Sequence, residues 1–180
     1  RFEVEERTGQ DGDIWRPLDD DAVVKLVKQI QAEQIQALAI CLLHSYANRD
    51  HEQRVAEIAR SVLPADTFIT CSSDVLPEIR EYERTSTTVI NAYLGPVVAR
   101  YIESLSLSLI RSGIKAPLQI MQSNGGTMSS SGVKERPASI VESGPAAGVI
   151  GASRMAALSG YRNIVTLDLG GTTAKASIVE

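Results

Sequence analysis

The sequence predicts an α/β fold, in which short strands alternate with helices along the chain. Short apolar runs, such as residues 37–43, have the length and composition of strands. The longer segments between them repeat apolar residues every three or four positions, which is the period of a helix. The last two apolar runs, 164–169 and 174–179, flank a paired glycine, and a hairpin there makes the sheet mixed rather than purely parallel.

The first half of the chain contains two predicted helices and two predicted strands after an opening hairpin. Residues 1–18 alternate apolar and polar side chains around a Gly-Gln-Asp-Gly turn, which is typical of a short hairpin. Aspartates at 19–21 begin a helix with an apolar face made of Val23, Val24, Val27 and Ile30. Residues 37–43 predict a strand buried on both sides. A second helix ends before Pro64, and a second strand follows at 67–73.

The second half begins with a long helical segment. Residues 77–112 are mostly helical in pattern, Pro96 should split or kink the helix, and Gly113 is a plausible C-cap. A third strand at 117–122 leads into a glycine-rich turn. Residues 143–160 predict a helix with its N-cap at Ser143 or Gly144, which the terminal strand pair follows.

The chain is expected to contain parts of two lobes. We place the boundary near Ala116, with a helix-rich α/β lobe at 1–115 and the start of a second lobe at 116–180. Because the chain begins at an arginine and ends on a predicted strand, we expect it to be an excised piece of a longer protein.

Composition excludes several classes of protein. The chain is 43% hydrophobic and 22% charged, as in globular proteins. Its net charge of −4 argues against a nucleic-acid binder, and no apolar run approaches the ~20 residues of a membrane span. Two cysteines, Cys41 and Cys71, make a poor disulfide framework, so a reducing cytoplasm is expected.

The sequence DLGGTT near the end has the residue types of a phosphate-binding loop. Glycines at 170 and 171 let the main-chain N–H groups approach phosphate oxygens without a Cβ in the way. Asp168 can hold magnesium through its water ligands, and Thr172 and Thr173 add hydroxyl donors. A plain hairpin in which Gly170 and Gly171 supply positive φ explains the same residues equally well. The segment lacks the Gly-Lys-Ser/Thr of a Walker loop.

Two other small-residue segments have two interpretations each. SNGGTMSSSG, after the strand ending at Gln122, is either a ligand loop at a strand end or a flexible surface connection, and we favour the connection. SGPAAG, at 143–148, could receive an anion at a helix start or pack closely against another backbone, and we favour close packing.

The remaining reactive side chains do not form a recognisable site in the sequence. Cys41, His44 and His51 lack a fourth ligand at zinc-like spacing, and His51 is expected in the first turn of the helix after Asn48. The Thr and Ser run after Arg84 is unusual on a helix and could face a cleft. No cysteine or serine has a His/Asp partner arrangement, so no nucleophile is predicted.

Five segments together resemble the hydantoinase A / 5-oxoprolinase family, which includes related ketone carboxylase subunits. They are CLLHSYANRDHE, LPEIREYERTSTTVINAYLGP, IMQSNGG, ESGPAAGV and DLGGTTAK. They occur in the family's order from about Leu38 to the end, and EVEER matches more loosely. The resemblance therefore covers nearly the whole chain.

The resemblance implies a fold of the actin, Hsp70 and sugar-kinase superfamily, with ribonuclease-H-like lobes around a nucleotide cleft. DLGGTTAK is similar to the second phosphate hairpin of that superfamily, and the residues that would face ATP or Mg²⁺ are Asp168, Gly170, Gly171, Thr172 and Thr173. The implied chemistry is ATP-dependent opening of a cyclic amide, such as a hydantoin or 5-oxoproline, by phosphorylation of the amide oxygen. A hydantoinase B-type subunit, or a fused B region, is the implied partner.

This chain departs from the family pattern in two ways. Many members have an acid where this chain has Lys175, so a second acidic magnesium contact is not expected, although the lysine could face the phosphates. The first phosphate hairpin and the adenosine region are expected before Arg1 and after Glu180, so the piece alone is expected to be inactive. The alternatives are a kinase or ketone carboxylase subunit of the same superfamily, and a non-catalytic module that binds a partner.

Overall fold

The computed structural model describes all residues, Arg1–Glu180, and has the predicted α/β composition. The chain divides into two compact units, which are described separately. The first comprises Arg1–Ser104 with Lys134–Ala138, and the second comprises Leu105–Val133 with Ser139–Glu180. The lobe boundary near residue 116 stays a prediction.

The first unit opens with the predicted antiparallel hairpin and continues with alternating helices and strands. β3 and β4 pair in parallel, and α2 makes the crossover between them. The elements are β1 (Arg7–Thr8), β2 (Ile14–Arg16), α1 (Asp20–Ala32), β3 (Ala37–Ile40), α2 (Asp50–Val62), β4 (Phe68–Cys71), α3 (Ser72–Val75) and α4 (Glu81–Arg111), of which residues 105–111 of α4 belong to the second unit.

The core of the first unit lies between α1, α2 and the parallel strands. Asp19 begins α1, and its carboxylate accepts hydrogen bonds from the N–H groups of Asp21 and Ala22. The apolar face predicted for α1 is buried at Val23, Val27 and Ile30, while Val24 packs at the edge of the core. The other buried core side chains come from α2 and from both strands: Ile40, Val55, Ala56, Ile58, Ala59, Leu63 and Cys71.

Two predictions for the first unit need correction. The strand expected at 37–43 ends at Ile40, and of its residues only Ile40 is buried. The chain leaves the strand there because the N–H group of Leu42 donates to the Glu52 carboxylate rather than to a neighbouring strand. The split expected at Pro96 is absent, since α4 is continuous through it.

The second unit consists of two antiparallel hairpins and one long helix. The turn predicted after the third strand contains a further strand, β6. At the end of the chain the two predicted strands pair in register, from Ile164 opposite Val179 to Leu169 opposite Ala174. The elements are β5 (Gln119–Met121), β6 (Thr127–Ser129), α5 (Ser130–Glu135), the 3-10 helix Pro137–Ile140, α6 (Ser143–Leu158), β7 (Ile164–Leu169) and β8 (Ala174–Val179), of which residues 134–138 belong to the first unit.

The sequence predicts a mixed sheet, and this prediction is wrong for the chain as a whole. Each strand pairs with only one neighbour. One parallel and three antiparallel pairs form four separate two-stranded sheets. The helix α6 begins one residue earlier than predicted, with Glu142 as its N-cap residue in the left-handed conformation. Gly113 follows the end of α4 with φ +81°, as its predicted capping role requires. No helix is both long and apolar enough to cross a membrane.

Candidate functional site

The predicted phosphate-loop residues lie together at the exposed tip of the β7–β8 hairpin. Asp168 is in the last part of β7, and the four residues 170–173 connect the two strands. The N–H group of Gly170 donates to the carbonyl oxygen of Thr173 over 2.9 Å and closes the loop. All five predicted residues are exposed, so a ligand can reach the loop from solvent.

The glycine pair is not explained by the conformation of the turn. Neither Gly170 nor Gly171 has a left-handed φ, unlike Gly125 and Gly160. A Cβ built on Gly171 meets no atom within 4 Å, and one on Gly170 meets only the Thr173 carbonyl oxygen at 3.6 Å, an ordinary contact. The plain-hairpin explanation through positive φ is therefore wrong for this loop. What the glycines provide is open access to the main chain.

Asp168 is a single carboxylate without a protein partner. Its side chain makes no hydrogen bond or ion pair, although Lys175 is its cross-strand neighbour in the register. No group of three acidic, histidine or cysteine side chains could enclose a metal ion. One free carboxylate suits a cation that keeps most of its water, which is how Mg²⁺ is usually held.

Lys175 connects the hairpin to the start of α6. Its ammonium group donates to Oε2 of Glu142 in an ion pair, and both side chains remain partly exposed. The lysine is therefore engaged by the N-cap residue of α6, and not by the loop. The sequence reasoning missed Glu142, and the acidic residue immediately before SGPAAG was the available signal.

A cavity of about 420 Å³ lies between α6 and the hairpin. Asp168 and Lys175 line it from the strands, together with Ser177 and residues 164–167 of β7. The helix contributes small and apolar side chains: Pro145, Gly148, Val149 and Ala152. The cavity therefore has two charged side chains on its strand side.

The other two small-residue segments have local structural roles or none. SNGG forms a tight turn rather than a flexible connection, because the N–H of Gln122 donates to the Gly126 carbonyl oxygen over 2.8 Å. Gly125 has φ +88°, and a Cβ there would lie 2.4 Å from Cδ1 of Ile150. In SGPAAG, a Cβ on Gly144 would meet no atom within 4 Å, so the expected close packing is absent there.

The histidines and cysteines have ordinary structural surroundings. Nδ1 of His51, in the first turn of α2 as predicted, lies 2.7 Å from Oε2 of Glu6, and both side chains are buried. Nδ1 of His44 lies 3.2 Å from the Tyr46 hydroxyl. Burial raises the pKa of the Cys71 thiol to about 12, so it is not an activated nucleophile.

The family of the chain follows from two sequence models. The model described as Hydantoinase/oxoprolinase matches residues 84–180, and the model described as Hydantoinase/oxoprolinase N-terminal region matches residues 1–63. The first match alone covers more than half of the chain. The chain therefore belongs to the hydantoinase/oxoprolinase family, as the five resembling segments predict.

Similar proteins include amide hydrolases and a carboxylase. Caprolactamase subunit alpha from Pseudomonas jessenii is 40% identical over 163 residues, which are 91% of this chain and 23% of the relative. The crystal structure of that organism's ATP-dependent caprolactamase matches with a TM-score of 0.85 at 38% identity, covering 97% of this chain and 25% of the solved chain. 5-Oxoprolinase from Saccharomyces cerevisiae is 35% identical over 177 residues, which are 94% of this chain and 13% of the relative.

A nucleotide-free structure of acetone carboxylase also matches, with a TM-score of 0.86 at 31% identity. That match covers 98% of this chain and 25% of the solved chain. The chain spans about a quarter or less of the length of these relatives.

Proposed function

We propose that the chain is part of an ATP-dependent amidohydrolase that opens a cyclic amide. Two relatives carry names that denote action on a lactam, caprolactamase and 5-oxoprolinase. The observation that carries the proposal is the glycine pair at 170–171, which neither turn conformation nor packing requires. A loop that leaves its main chain open in this way suits a phosphate ligand.

In this proposal the hairpin tip contacts the phosphates of ATP. The main-chain N–H groups around Gly171 approach phosphate oxygens, and the hydroxyls of Thr172 and Thr173 donate further hydrogen bonds. Asp168 holds Mg²⁺ through its water ligands. The exposure of this tip and the absence of a protein partner for Asp168 fit both groups.

ATP supplies the phosphoryl group that activates the amide. Transfer of that group to the amide oxygen would make the carbonyl carbon electrophilic, so that water could add to it. The ring C–N bond would then break with the nitrogen leaving as a protonated amine, and a second water would hydrolyse the resulting acyl phosphate to a carboxylate and inorganic phosphate. The chain's part is to bind and orient the donor. We also propose that its two units belong to ribonuclease-H-like lobes, and that a hydantoinase B-type subunit or fused region completes the active protein.

The glycine loop is tested by ATP binding to the whole protein. Gly171→Val should weaken Mg-ATP binding at least about tenfold, because its side chain occupies the space used by phosphate, and Asp168→Ala should weaken it in a Mg²⁺-dependent way. A matched control is Gly151→Val, which also has open space at its Cβ but lies on α6. Since none of the three positions is packed, the thermal unfolding midpoints should stay close to that of the parent. Unchanged Mg-ATP affinity in both loop variants would show that the loop binds no phosphate.

A ketone carboxylase is the second candidate, since acetone carboxylase matches as well as caprolactamase does. Steady-state ATPase assays separate the two. We expect stimulation by hydantoin, 5-oxoproline or caprolactam and none by acetone with bicarbonate. Stimulation by the ketone alone would assign the chain to the carboxylases.

A further inference from the structure

The buried polar side-chain atoms that lack a hydrogen-bond partner all lie in one region of the first unit. They are Oγ of Ser73, and Nε and Nη1 of Arg84. Ser73 comes just after β4, and Arg84 contacts the chain just after β3. Because β3 and β4 are parallel, their carboxyl ends meet at the same edge, which is where open α/β sheets bind ligands.

A buried carboxylate in the same region is fully satisfied. Glu52, on α2, has no exposed surface. Its Oε1 accepts from the N–H of Leu42 over 2.8 Å and from Oγ of Ser72 over 2.5 Å, and its Oε2 accepts from the N–H of Ser73 over 2.8 Å. Three neutral donors therefore stabilise this negative charge, and the carboxylate makes no direct ion pair with Arg84.

Arg84, unlike Glu52, lacks hydrogen-bond partners for part of its charged group. Its side chain is 1% exposed, yet it forms no ion pair with any acidic side chain. Nη2 donates to the carbonyl oxygen of Leu42 over 2.7 Å, and the Tyr46 ring lies 5.7 Å from Cζ. A buried guanidinium needs an anion or several acceptors to offset its lost hydration. One carbonyl oxygen and one ring leave the N–H groups on Nε and Nη1 without an acceptor.

The half-buried Cys41 lies close to this guanidinium. Burial raises the pKa of the half-buried Cys41 thiol, and hydrogen bonds with Thr88 and Thr85 partly oppose that rise. The thiol therefore lies against the face of α4 that carries Arg84, and Thr85 is exposed there. Cys41 is therefore a thiol close enough to Arg84 to report on a ligand bound there.

We propose that Arg84 binds the carboxylate group of a small-molecule ligand at the carboxyl ends of β3 and β4. The two guanidinium nitrogens without acceptors need a ligand with oxygen acceptors, and a single negative charge on that ligand adds the least excess charge beside Glu52. A carboxylate carries that charge, whereas a phosphate group near neutral pH carries between about one and a half and two and leaves an excess. The guanidinium donors also match carboxylate oxygens well. This site lies in the first unit and does not depend on the ATP site proposed for the β7–β8 hairpin.

The test uses alkylation of Cys41 by iodoacetamide in the whole protein, with acetate as the probe. Trypsin places the two cysteines of this chain in separate peptides, 29–49 and 61–80, so that mass spectrometry follows Cys41 alone. We expect acetate to slow the reaction along a saturable curve, reaching about tenfold at ten times its Kd. Sodium chloride and sodium phosphate at matched ionic strength should have no such effect. Acetate should also raise the thermal unfolding midpoint, which gives a second readout.

Two variants identify the guanidinium as the receptor. Arg84→Lys should abolish the effect of acetate on both readouts, because an ammonium lacks the planar donors. Arg100→Lys, at an exposed arginine of the same helix, should leave both unchanged. If Arg84→Lys fails to fold, the parent protein still tests the proposal. Saturable protection of Cys41 by acetate, without protection by chloride or phosphate, supports the site. Equal effects of acetate and phosphate, equal effects in Arg84→Lys and the parent, or no effect on either readout would overturn the proposal.

Discussion

Replacing Glu52 by glutamine should destabilise the first unit strongly, although the two side chains have nearly the same shape. Glu52 accepts three hydrogen bonds while completely buried, and two of them come from main-chain N–H groups, those of Leu42 and Ser73. An amide has one acceptor oxygen and one donor group. In either orientation of the new amide, therefore, one main-chain N–H group faces a second donor and loses its acceptor.

The cost follows from these contacts. A buried N–H group that loses its acceptor costs about 1–3 kcal/mol. The bonds that remain lose the charge assistance of the carboxylate, which is worth about 0.5–1 kcal/mol each. Removing the buried charge offsets part of this loss of stability, because a neutral amide is less costly to desolvate than a carboxylate. We therefore expect a loss of about 3 kcal/mol in the free energy of unfolding.

Urea-induced unfolding followed by circular dichroism measures this loss. The matched control is Glu57→Gln, further along α2, where an exposed ion pair with Arg54 should contribute less than about 0.5 kcal/mol. Hydrogen exchange should also accelerate at Leu42 and Ser73 in Glu52→Gln and not in the control. A free energy of unfolding in Glu52→Gln that lies within about 0.5 kcal/mol of the parent would refute the hydrogen-bond reasoning.

Three further outcomes can be checked by urea unfolding. His51→Ala should cost about 2–3 kcal/mol, because it removes the buried partner of the Glu6 carboxylate; a loss below about 1 kcal/mol would contradict this. Gly95→Ala should destabilise by about 1–3 kcal/mol instead of showing the usual helix-stabilising effect, because the new Cβ would lie 2.3 Å from Cδ1 of Phe68; a stabilised variant would show that the ring moves aside freely. Burial raises the pKa of Cys71 from 9.0 to about 12, so its stabilising contribution is complete below pH 9 and declines by up to about 1.4 kcal/mol per pH unit from there to pH 12. Cys71→Ala should lose that part of the alkaline dependence, and an identical pH profile in the variant would count against it.

The order of helices and strands was predictable because hydrophobic period and capping residues are local signals. Asp19 at the start of α1 and Gly113 after α4 act as caps in the way their residue types predict. The hairpins β1–β2 and β7–β8 were predictable from their turns, but the parallel pairing of β3 with β4 was not, because it depends on which edges meet in space. The helical period of α2 could have predicted that Glu52 is buried. It lies three residues before Val55 and seven before Ala59, which are both buried.

The face that α4 buries shows why an apolar pattern can mislead. Its buried side chains include Arg84, Thr88 and Asn91, which recur at helical spacing. Two of them have acceptors in other elements or in the helix itself: Nδ2 of Asn91 donates to Oγ1 of Thr70, and Oγ1 of Thr88 donates to the Arg84 carbonyl oxygen, whereas Nε and Nη1 of Arg84 have no acceptor. Tyr93, in contrast, is 81% exposed. Hydropathy alone therefore does not identify which side of this helix is buried.

The glycine hairpin marks the point at which sequence and structure contribute different evidence. The sequence places Gly170 and Gly171 between two strands, and residue types alone fit both a turn and a phosphate loop. The structure excludes the explanation that the turn needs glycine for a positive φ, since neither glycine has one. A Cβ at Gly171 would also contact no atom within 4 Å. The open space at Gly171 fits the phosphate ligand that we propose for this loop. That inference is local to the loop, so Gly171→Val can test it while the rest of the fold is left as it is.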